Sequence, residues 1–384
     1  MKPINFVQSW GKILRGKIPL LSIEITRECP LTCPGCYAYG DSHLAGGAQL
    51  KDLSDLRGDD LVKGIVGLVE QHDPIHVSLV GGEPLIRHRE LSKVLPILSR
   101  LGTNTMVVTS AVIPIPGEWN ALPRVTVVVS IDGLPQHHDV RRKPATYELI
   151  LRHIAGRRVN VHWTVVRAHM EEPGYLDEFL AFWSARSEVN RIWLSIYTPQ
   201  RGEQTPEMLT PEHRQSLADQ LPMLARRHPK LLVPDGMAQA FLHPPSSPAE
   251  CIFSRMSMNY TADLRTQVEP CIFGGDPDCS QCGCSISAGL HWVGSLPVAG
   301  PLRVRHLVWS SMAVGSVVNR VIPHHIQFSR WSPVPQPASP LVQINSAKLD
   351  PELSQHLPDP PSQRNAIPEE STSSSRAAAY TPLD

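Results

Sequence analysis

The sequence has no net charge and comparatively few charged residues. Lys and Arg together number 36, as do Asp and Glu, and charged residues make up 19% of the chain, where about 25% is usual. A protein that binds nucleic acid or an anionic membrane through its bulk charge needs an excess of positive charge. The composition therefore argues against nucleic acid as a partner, and leaves local patches as the only basis for electrostatic binding.

A long apolar run is also missing. The first 21 residues carry four basic side chains, but neither the apolar core of about 7–15 residues nor the cleavage site of a signal peptide. The most apolar later stretch, residues 307–321, is interrupted by polar residues and is shorter than the ~20 residues that span a bilayer. We therefore expect a cytoplasmic protein with reduced thiols and no transmembrane span, in which residues 307–321 form a docking helix rather than a membrane anchor.

Cysteine is absent between residues 36 and 251. The eight cysteines form a group of three near the start of the chain and a group of five later on: Cys29, Cys33 and Cys36, then Cys251, Cys271, Cys279, Cys282 and Cys284. A secreted disulfide scaffold is usually shorter and spreads its cysteines through the chain. The clustering instead predicts two groups of metal ligands.

Short β-rich runs alternate with helical patterns between residues 20 and 198. Runs of Val, Ile, Leu and Thr predict strands, and apolar residues at helical spacing predict helices. The predicted strands cover residues 20–26, 75–80, 105–109, 125–131, 160–166 and 191–197, and the predicted helices 59–70, 91–101, 147–154, 175–185 and 211–227. This repetition implies parallel strands with right-handed crossovers. We expect an α/β fold, either an open doubly wound sheet or a partial barrel, with ligands at the carboxyl ends of the strands.

The predicted organisation has four parts. Residues 1–18 form an N-terminal segment, 19–230 the α/β barrel, 231–331 a C-terminal extension with the second cysteine group, and 332–384 a tail. The tail is rich in proline and serine and has one aromatic residue, Tyr380. Such a segment cannot bury enough apolar surface to offset its ordering entropy, so we expect it to be disordered.

The first cysteine group places three thiols in eight residues, directly after the first predicted strand. Three thiolates on one loop can bind three irons of a [4Fe–4S] cluster and leave the fourth iron open, whereas closed clusters usually take four cysteines. An open position can bind an exogenous ligand. The alternative is a structural zinc site that takes a fourth ligand from elsewhere, for example from His43.

A three-cysteine loop with these intervals, after the first strand of a six-fold βα repeat, resembles the radical S-adenosylmethionine (radical SAM) enzymes. The resemblance covers residues 20–197 and extends more loosely to residue 284. Many members have an aromatic residue before the third cysteine, where this chain has Gly35. The resemblance implies a partial (βα)6 TIM-like barrel. It also implies a [4Fe–4S] cluster that cleaves S-adenosylmethionine reductively to a 5′-deoxyadenosyl radical, which abstracts hydrogen from a substrate.

Further motifs match the same family. By resemblance, the glycine motif after the second strand meets the methionyl amino group of the cofactor, and polar residues after the third and fourth strands approach its ribose or carboxylate. The cofactor-binding residues so implied are Gly81, Gly82, Glu83, Pro84, Ser110, Ser130 and Asp132. The Ser-x-Asp-Gly string at Ser130 and the His-Asp-x-x-Arg string that begins at His138 are similar to those of peptide-modifying members.

The second cysteine group resembles, loosely, the auxiliary-cluster extensions of radical SAM enzymes, the SPASM and twitch regions. Its five thiols are too few for two complete auxiliary clusters, so we expect one [4Fe–4S] cluster and one spare cysteine. A zinc site and a site without metal remain alternatives, and the sequence leaves open which cysteine is spare.

The resemblance implies a peptide or protein substrate and a low-potential electron donor such as a flavodoxin or ferredoxin. Low charge and the apolar stretch at 307–321 motivate a second hypothesis, modification of a lipid, an isoprenoid or another small molecule. A third hypothesis, from a different class, is a non-catalytic iron–sulfur or zinc scaffold.

Overall fold

A computed structural model describes residues 10–36, 38, 43–44, 53–144, 146–234 and 236–321. The tail predicted at 332–384 lies outside the described residues, as do the first nine residues.

Seven parallel strands form the main sheet, in the spatial order β6-β5-β4-β3-β2-β1-β7. They are β1 Leu20–Glu24, β2 His76–Val80, β3 Asn104–Thr109, β4 Val125–Ile131, β5 Val159–Val165, β6 Val189–Ile196 and β7 Ser257–Tyr260. The six predicted strands are confirmed to within two residues at each end. Each strand from β2 to β6 lies beside the strand that precedes it in the chain, so the strand order from β1 to β6 has no reversal. This is the order of a partial barrel rather than of a doubly wound sheet.

Helices follow the strands, as predicted. They are α1 Gly58–His72, α2 His88–Arg100, α3 Pro135–Arg141, α4 Tyr147–Ile154, α5 Arg167–Glu171, α6 Tyr175–Ser184, α7 Pro211–Arg227, α8 Met237–Ala240, α9 Ile252–Met256, α10 Ser285–Ser295 and α11 Val304–Val321. Short 3₁₀ turns occupy Pro84–Arg87, Gly117–Ala121 and Cys279–Gln281, and a hairpin of β8 Pro297–Ala299 and β9 Leu302–Arg303 separates the last two helices. No described helix is both long and apolar enough to cross a membrane.

The two faces of the sheet differ in polarity. Leu21 and Ile23 of β1 are almost completely buried in the main apolar core. Their alternating neighbours Ser22 and Glu24 are polar and also buried, and Ser22 pairs with Ser78 of β2. Because successive side chains of a strand point to opposite faces, one face packs against helices while the other forms a polar inner wall. A sheet covered by helices on both faces would be apolar on both.

The seventh strand, β7, was not predicted from the sequence. It pairs in parallel with β1, from Leu20 opposite Ser257 to Ile23 opposite Tyr260. Its four residues, Ser-Met-Asn-Tyr, are too short and too polar to give a strand signal by themselves. The segment predicted as the C-terminal extension thus supplies a strand to the barrel sheet.

The second cysteine group is attached to the carboxyl end of β6. The Ile196 amide donates to the Gly283 carbonyl at 2.8 Å, and the Gly283 amide donates to Thr198 Oγ1 at 2.9 Å. A Cβ atom on Gly283 would lie 2.2 Å from the Ile196 carbonyl oxygen. Only glycine therefore fits between Cys282 and Cys284 without moving this loop away from the barrel.

We expect Gly283→Ala to lower the free energy of unfolding by about 1–3 kcal/mol, the usual effect of overpacking a closely packed site. Urea denaturation followed by circular dichroism measures it. The control is Gly67→Ala in α1, where an added Cβ has open space and alanine is favoured by about 1 kcal/mol in a helix. A Gly283→Ala variant as stable as the wild type would contradict the close contact with β6.

Candidate active site

The three-cysteine loop begins directly after β1, at the carboxyl edge of the sheet. Cys29 is buried, and Cys33 and Cys36 are half-buried. Burial, together with the nearby Glu83 carboxylate and the two other thiols, raises the pKa of Cys29 to about 12. The three thiols are thus close enough to interact electrostatically. They can become thiolates together only if positive charge, such as that of metal ions, is supplied to the loop.

In the described ranges, no three Cys, His, Asp or Glu side chains converge closely enough to bind one metal ion in common. The ligands of a single zinc ion must converge in that way. In a [4Fe–4S] cluster each cysteine binds a different iron, so its thiols stand farther apart. Three thiols on one loop are the donor set that a [4Fe–4S] cluster with an open iron requires.

His43, the candidate fourth zinc ligand, is engaged elsewhere. Its Nε2 lies 2.7 Å from Glu24 Oε1 and its Nδ1 lies 3.1 Å from the Phe273 carbonyl oxygen. Both partners are acceptors, so both ring nitrogens donate. Burial lowers the pKa of His43, but the hydrogen bond to Glu24 and the Glu24 charge outweigh it and raise the pKa overall. An imidazolium has no lone pair for a metal, so this arrangement does not support the His43 zinc site.

The glycine motif lies against the backbone that precedes Cys29. Gly81 has a φ of +131°, and a Cβ on it would lie 2.5 Å from the Thr26 carbonyl oxygen. The Gly82 amide donates to that same carbonyl at 2.8 Å, and the Glu83 amide donates to the Glu28 carbonyl at 2.8 Å. The motif and the cysteine loop therefore hold one another in place.

The Glu83 side chain turns inward and joins the ends of β2 and β3. Its fully buried carboxylate accepts hydrogen bonds from the Leu85 amide at 3.0 Å and from Thr109 Oγ1 at 2.5 Å. It also accepts from the Ser110 amide at 2.8 Å and from the Ser110 hydroxyl. Glu83 and Ser110, two of the predicted cofactor-binding residues, are thus hydrogen-bonded to each other. Pro84 begins the 3₁₀ turn beside them.

Asp132 is buried between two arginines at the end of β4. It accepts hydrogen bonds from Arg142 Nε at 2.8 Å and lies 3.1 Å from an Arg141 guanidinium nitrogen. Burial alone would raise its pKa, but the two guanidinium groups hold the pKa of Asp132 well below its usual range. Arg142 also lies near the cysteine loop. Its positive charge lowers the pKa of Cys33, against the larger rise that burial causes.

The His-Asp-x-x-Arg string has a structural explanation. The Asp132 amide donates to His138 Nδ1 at 3.1 Å. Asp139 accepts from the Thr146 and Tyr147 amides at the start of α4. His138 and Asp139 therefore stabilise the turn and the next helix, while Arg142 completes the buried ion pair. Ser130, the other predicted residue on β4, is half-buried opposite His162 of β5.

Sequence reasoning missed the ion network at the base of the cysteine loop. Asp55 accepts hydrogen bonds from Thr26 Oγ1 at 2.8 Å and from Arg27 Nε at 2.7 Å. Arg87 donates to Glu28 at 2.8 Å. These residues are far apart in sequence, and single charged residues carry no pattern, so no local signal could have identified them.

The five later cysteines line one common cavity. Its lining also includes Thr198, Phe253, Phe273 and Ser287. Burial raises the pKa of Cys271 to about 12 and that of Cys279 to about 11, and in both cases neighbouring thiols add to the rise. Cys251 Sγ lies 3.3 Å from Ser287 Oγ and accepts from the Ser254 amide at 3.5 Å. The tertiary structure thus assembles the predicted ligand set.

A buried arginine lies beside this cavity. Arg214 is 7% exposed, and its guanidinium donates to the Phe241 carbonyl at 3.0 Å and to the Gln281 carbonyl. In the part of the chain that the structure describes, no carboxylate lies within ion-pair distance of it. Burial raises the pKa of Cys282 overall, and the Arg214 charge opposes that rise. A cation that is buried without a carboxylate therefore faces the cysteine cavity.

We expect Asp132→Asn to lower the free energy of unfolding by about 3 kcal/mol, because it leaves the half-buried Arg142 guanidinium without its carboxylate partner, while Arg141 keeps its pair with Glu207. Chemical denaturation at neutral pH measures the loss. Asp276→Asn is the matched control, since its pair with Arg201 is largely exposed and should change stability by less than about 1 kcal/mol. Equal losses in the two variants would mean that Asp132 does not balance that charge.

Comparison with known proteins supports the fold. No family model matches the chain. A curated relative, 7-carboxy-7-deazaguanine synthase of Hyperthermus butylicus, is 29% identical over 107 residues, which are 28% of this chain and 41% of that protein. SuiB of Streptococcus suis bound to S-adenosylmethionine superposes with a TM-score of 0.50 and 16% identity. A second SuiB structure gives 0.50 and 15%.

The aligned regions cover 67% and 70% of this chain in the two SuiB structures. They span 61% and 64% of SuiB, so the chain matches less than two thirds of these neighbours. At such identities the likeness to SuiB is one of fold. The chain therefore shares the fold of these structures, and its three-cysteine loop follows the first strand of that fold.

Proposed function

We propose that this protein cleaves S-adenosylmethionine reductively and uses the resulting radical to abstract hydrogen from a peptide or protein. The proposal is supported mainly by the three-thiol loop at the carboxyl edge of the parallel sheet. The backbone that leads into this loop packs against Gly81 of the glycine motif. A [4Fe–4S] cluster bound by Cys29, Cys33 and Cys36 would supply the electron and the open iron for the cofactor.

The protein's own residues would position the cofactor rather than react with it. Gly81, Gly82 and Pro84 would offer backbone groups at the edge of the sheet, while Glu83 and Ser110 would hold that backbone through their mutual hydrogen bonds. Ser130 is half-buried at the end of β4 and would contact the cofactor directly. Asp132 would act by holding Arg142, whose positive charge suits the cofactor carboxylate and the anionic cluster.

We expect Cys33→Ala to abolish the release of 5′-deoxyadenosine from S-adenosylmethionine, because one iron loses its ligand. The assay uses the full chain, reconstituted with iron and sulfide without oxygen and then reduced with dithionite. Thr32→Ala is the control in the same loop, since its side chain is exposed and its backbone amide keeps the 2.7 Å hydrogen bond to the Lys143 carbonyl when the 3.4 Å hydroxyl bond is lost.

Release that is equal in wild type and Cys33→Ala would overturn the proposal in favour of the non-catalytic scaffold. Release that is lost in both variants but not in the wild type would mean that loop conformation, rather than the thiol, is required.

We further propose that four of the five later cysteines bind an auxiliary [4Fe–4S] cluster at the cavity that they line. A cluster with four thiolate ligands carries net negative charge, which a buried cation stabilises. Arg214 is such a cation and has only carbonyl partners. Asp278 acts on Arg214 electrostatically, but the hydrogen bonds of Arg214 go to neutral carbonyls, so an anionic occupant would stabilise this buried cation further.

Iron and sulfide analysis of the reconstituted full chain tests the auxiliary cluster. We expect Cys282→Ala to lose about half of the iron and sulfide and to keep the absorbance of the first cluster. The control is Ser280→Ala, which alters an exposed side chain between two cysteines of the same loop. Unchanged iron in Cys282→Ala would remove this cysteine from the ligand set, and zinc in place of iron in the wild type would remove the cluster.

A peptide or protein is the substrate class that we propose. SuiB, which shares the fold, has been solved with its precursor peptide SuiA bound. The Ser-x-Asp-Gly string at the end of β4 also favours a peptide substrate, because it is similar to strings of peptide-modifying enzymes. A flavodoxin or ferredoxin-type donor would supply the electron. The second candidate, a lipid or isoprenoid substrate, is favoured by the exposed apolar side chains of α10 and α11.

A further inference from the structure

Exposed apolar side chains are concentrated near the end of the described chain. Nine of the fourteen large apolar side chains that are exposed lie between residues 286 and 321. These nine define what we call the α10–α11 surface: Ile286, Val293, Leu296, Val298, Leu302, Leu307, Val314, Val317 and Val321. Clustered exposed apolar groups, unlike scattered single ones, mark interaction sites.

The last helix, α11, has one side that packs and one side that does not. Val308, Ser311 and Gly315 are buried, and a Cβ on Gly315 would lie 2.1 Å from the Ile13 carbonyl oxygen. The exposed residues Val314 and Val317 belong to the other side, with fractional exposures of 51% and 57%. The packed side holds the helix rigidly, so the exposed apolar side is a fixed feature of the surface.

The α10–α11 segment itself carries charge of one sign. No Asp or Glu occurs anywhere in the sequence between Asp278 and Asp350. Within α10, the hairpin and α11 the charged residues are Arg303, Arg305 and Arg320. From the neighbouring elements, the exposed Glu250 carboxylate accepts hydrogen bonds from Ser246, which lower its pKa, and the charges of His291 and Arg305 lower it slightly more. The chain as a whole is neutral, so this cationic and apolar segment is a local patch.

We propose that the α10–α11 surface docks the protein onto a lipid bilayer that contains anionic headgroups. An amphipathic helix with arginines and exposed apolar residues lies at the boundary between headgroups and acyl chains. There the apolar side chains contact the acyl chains and the arginines contact the anionic headgroups. If a second copy of the chain docked through the same surface, the arginines of the two copies would face each other. The segment has no carboxylate that could balance their repulsion. At about 1.5 Å per residue α11 is ~27 Å long, and it lies along the membrane rather than across it.

The docking surface continues into the second cysteine cavity. Cys284 and Ser287 line that cavity, and Ser285 begins α10. Docking would therefore place the cavity close to the membrane. This inference does not rest on the proposed reaction, since lipid binding requires neither a cluster nor S-adenosylmethionine.

Co-sedimentation of the full chain with vesicles tests the proposal. We expect binding to vesicles of phosphatidylcholine with phosphatidylglycerol, and at least tenfold weaker binding to phosphatidylcholine alone or in high salt. The double variant Val314→Glu/Val317→Glu should weaken binding at least tenfold, and Arg320→Gln about fivefold. Met223→Glu, at a similarly exposed apolar position on α7, is the matched control and should bind like the wild type.

A full chain that stays in the supernatant with anionic vesicles would overturn the proposal. Binding by the double glutamate variant equal to that of the wild type would overturn it as well. Light scattering on the eluting protein identifies the competing occupant, because a dimer that the double variant breaks, without vesicle binding, would assign this surface to a second copy. The release of 5′-deoxyadenosine in solution should be the same in the wild type and the double variant.

Discussion

The close approach of Gly81 to the Thr26 carbonyl is the contact on which the rest of the site depends. Because Gly81 has no Cβ, the backbone after β2 can lie against the backbone that leads from β1 to Cys29. The next two amides then donate to carbonyls of that segment, and Glu83 extends the connection to the end of β3. A side chain at position 81 would separate the cysteine loop from the motif that is predicted to hold the cofactor.

Both cysteine groups have a buried cation beside them, but the two cations are balanced differently. Arg142 faces the first group and is paired with Asp132. Arg214 faces the second group and is held by carbonyl oxygens. A buried charge is expensive unless it is paired, and Arg214 has the more distant charge of Asp278 where Arg142 has a direct ion pair. This difference gives the two proposed clusters distinct electrostatic surroundings within one chain.

The C-terminal extension is integrated with the barrel rather than attached to it loosely. It supplies β7 at one edge of the sheet, it bonds to the end of β6 through Gly283, and its Phe273 carbonyl meets the buried His43 ring. The two cysteine groups are therefore held by the same framework. The exposed side of α11 extends this framework to a surface whose apolar and cationic character suits a lipid boundary.

The sequence by itself determined the order of the elements and the first cysteine group, because both are encoded locally. Six strands and their helices follow from side-chain periodicity, and Cys29, Cys33 and Cys36 share one loop. Only the tertiary structure decided what depends on distant neighbours. It placed the short polar strand β7 beside β1, gathered the cysteines between Cys251 and Cys284 around one cavity, and turned Glu83 inward. A hydrogen bond or a cavity between residues far apart in sequence leaves no local pattern, and only the folded chain brings its parts together.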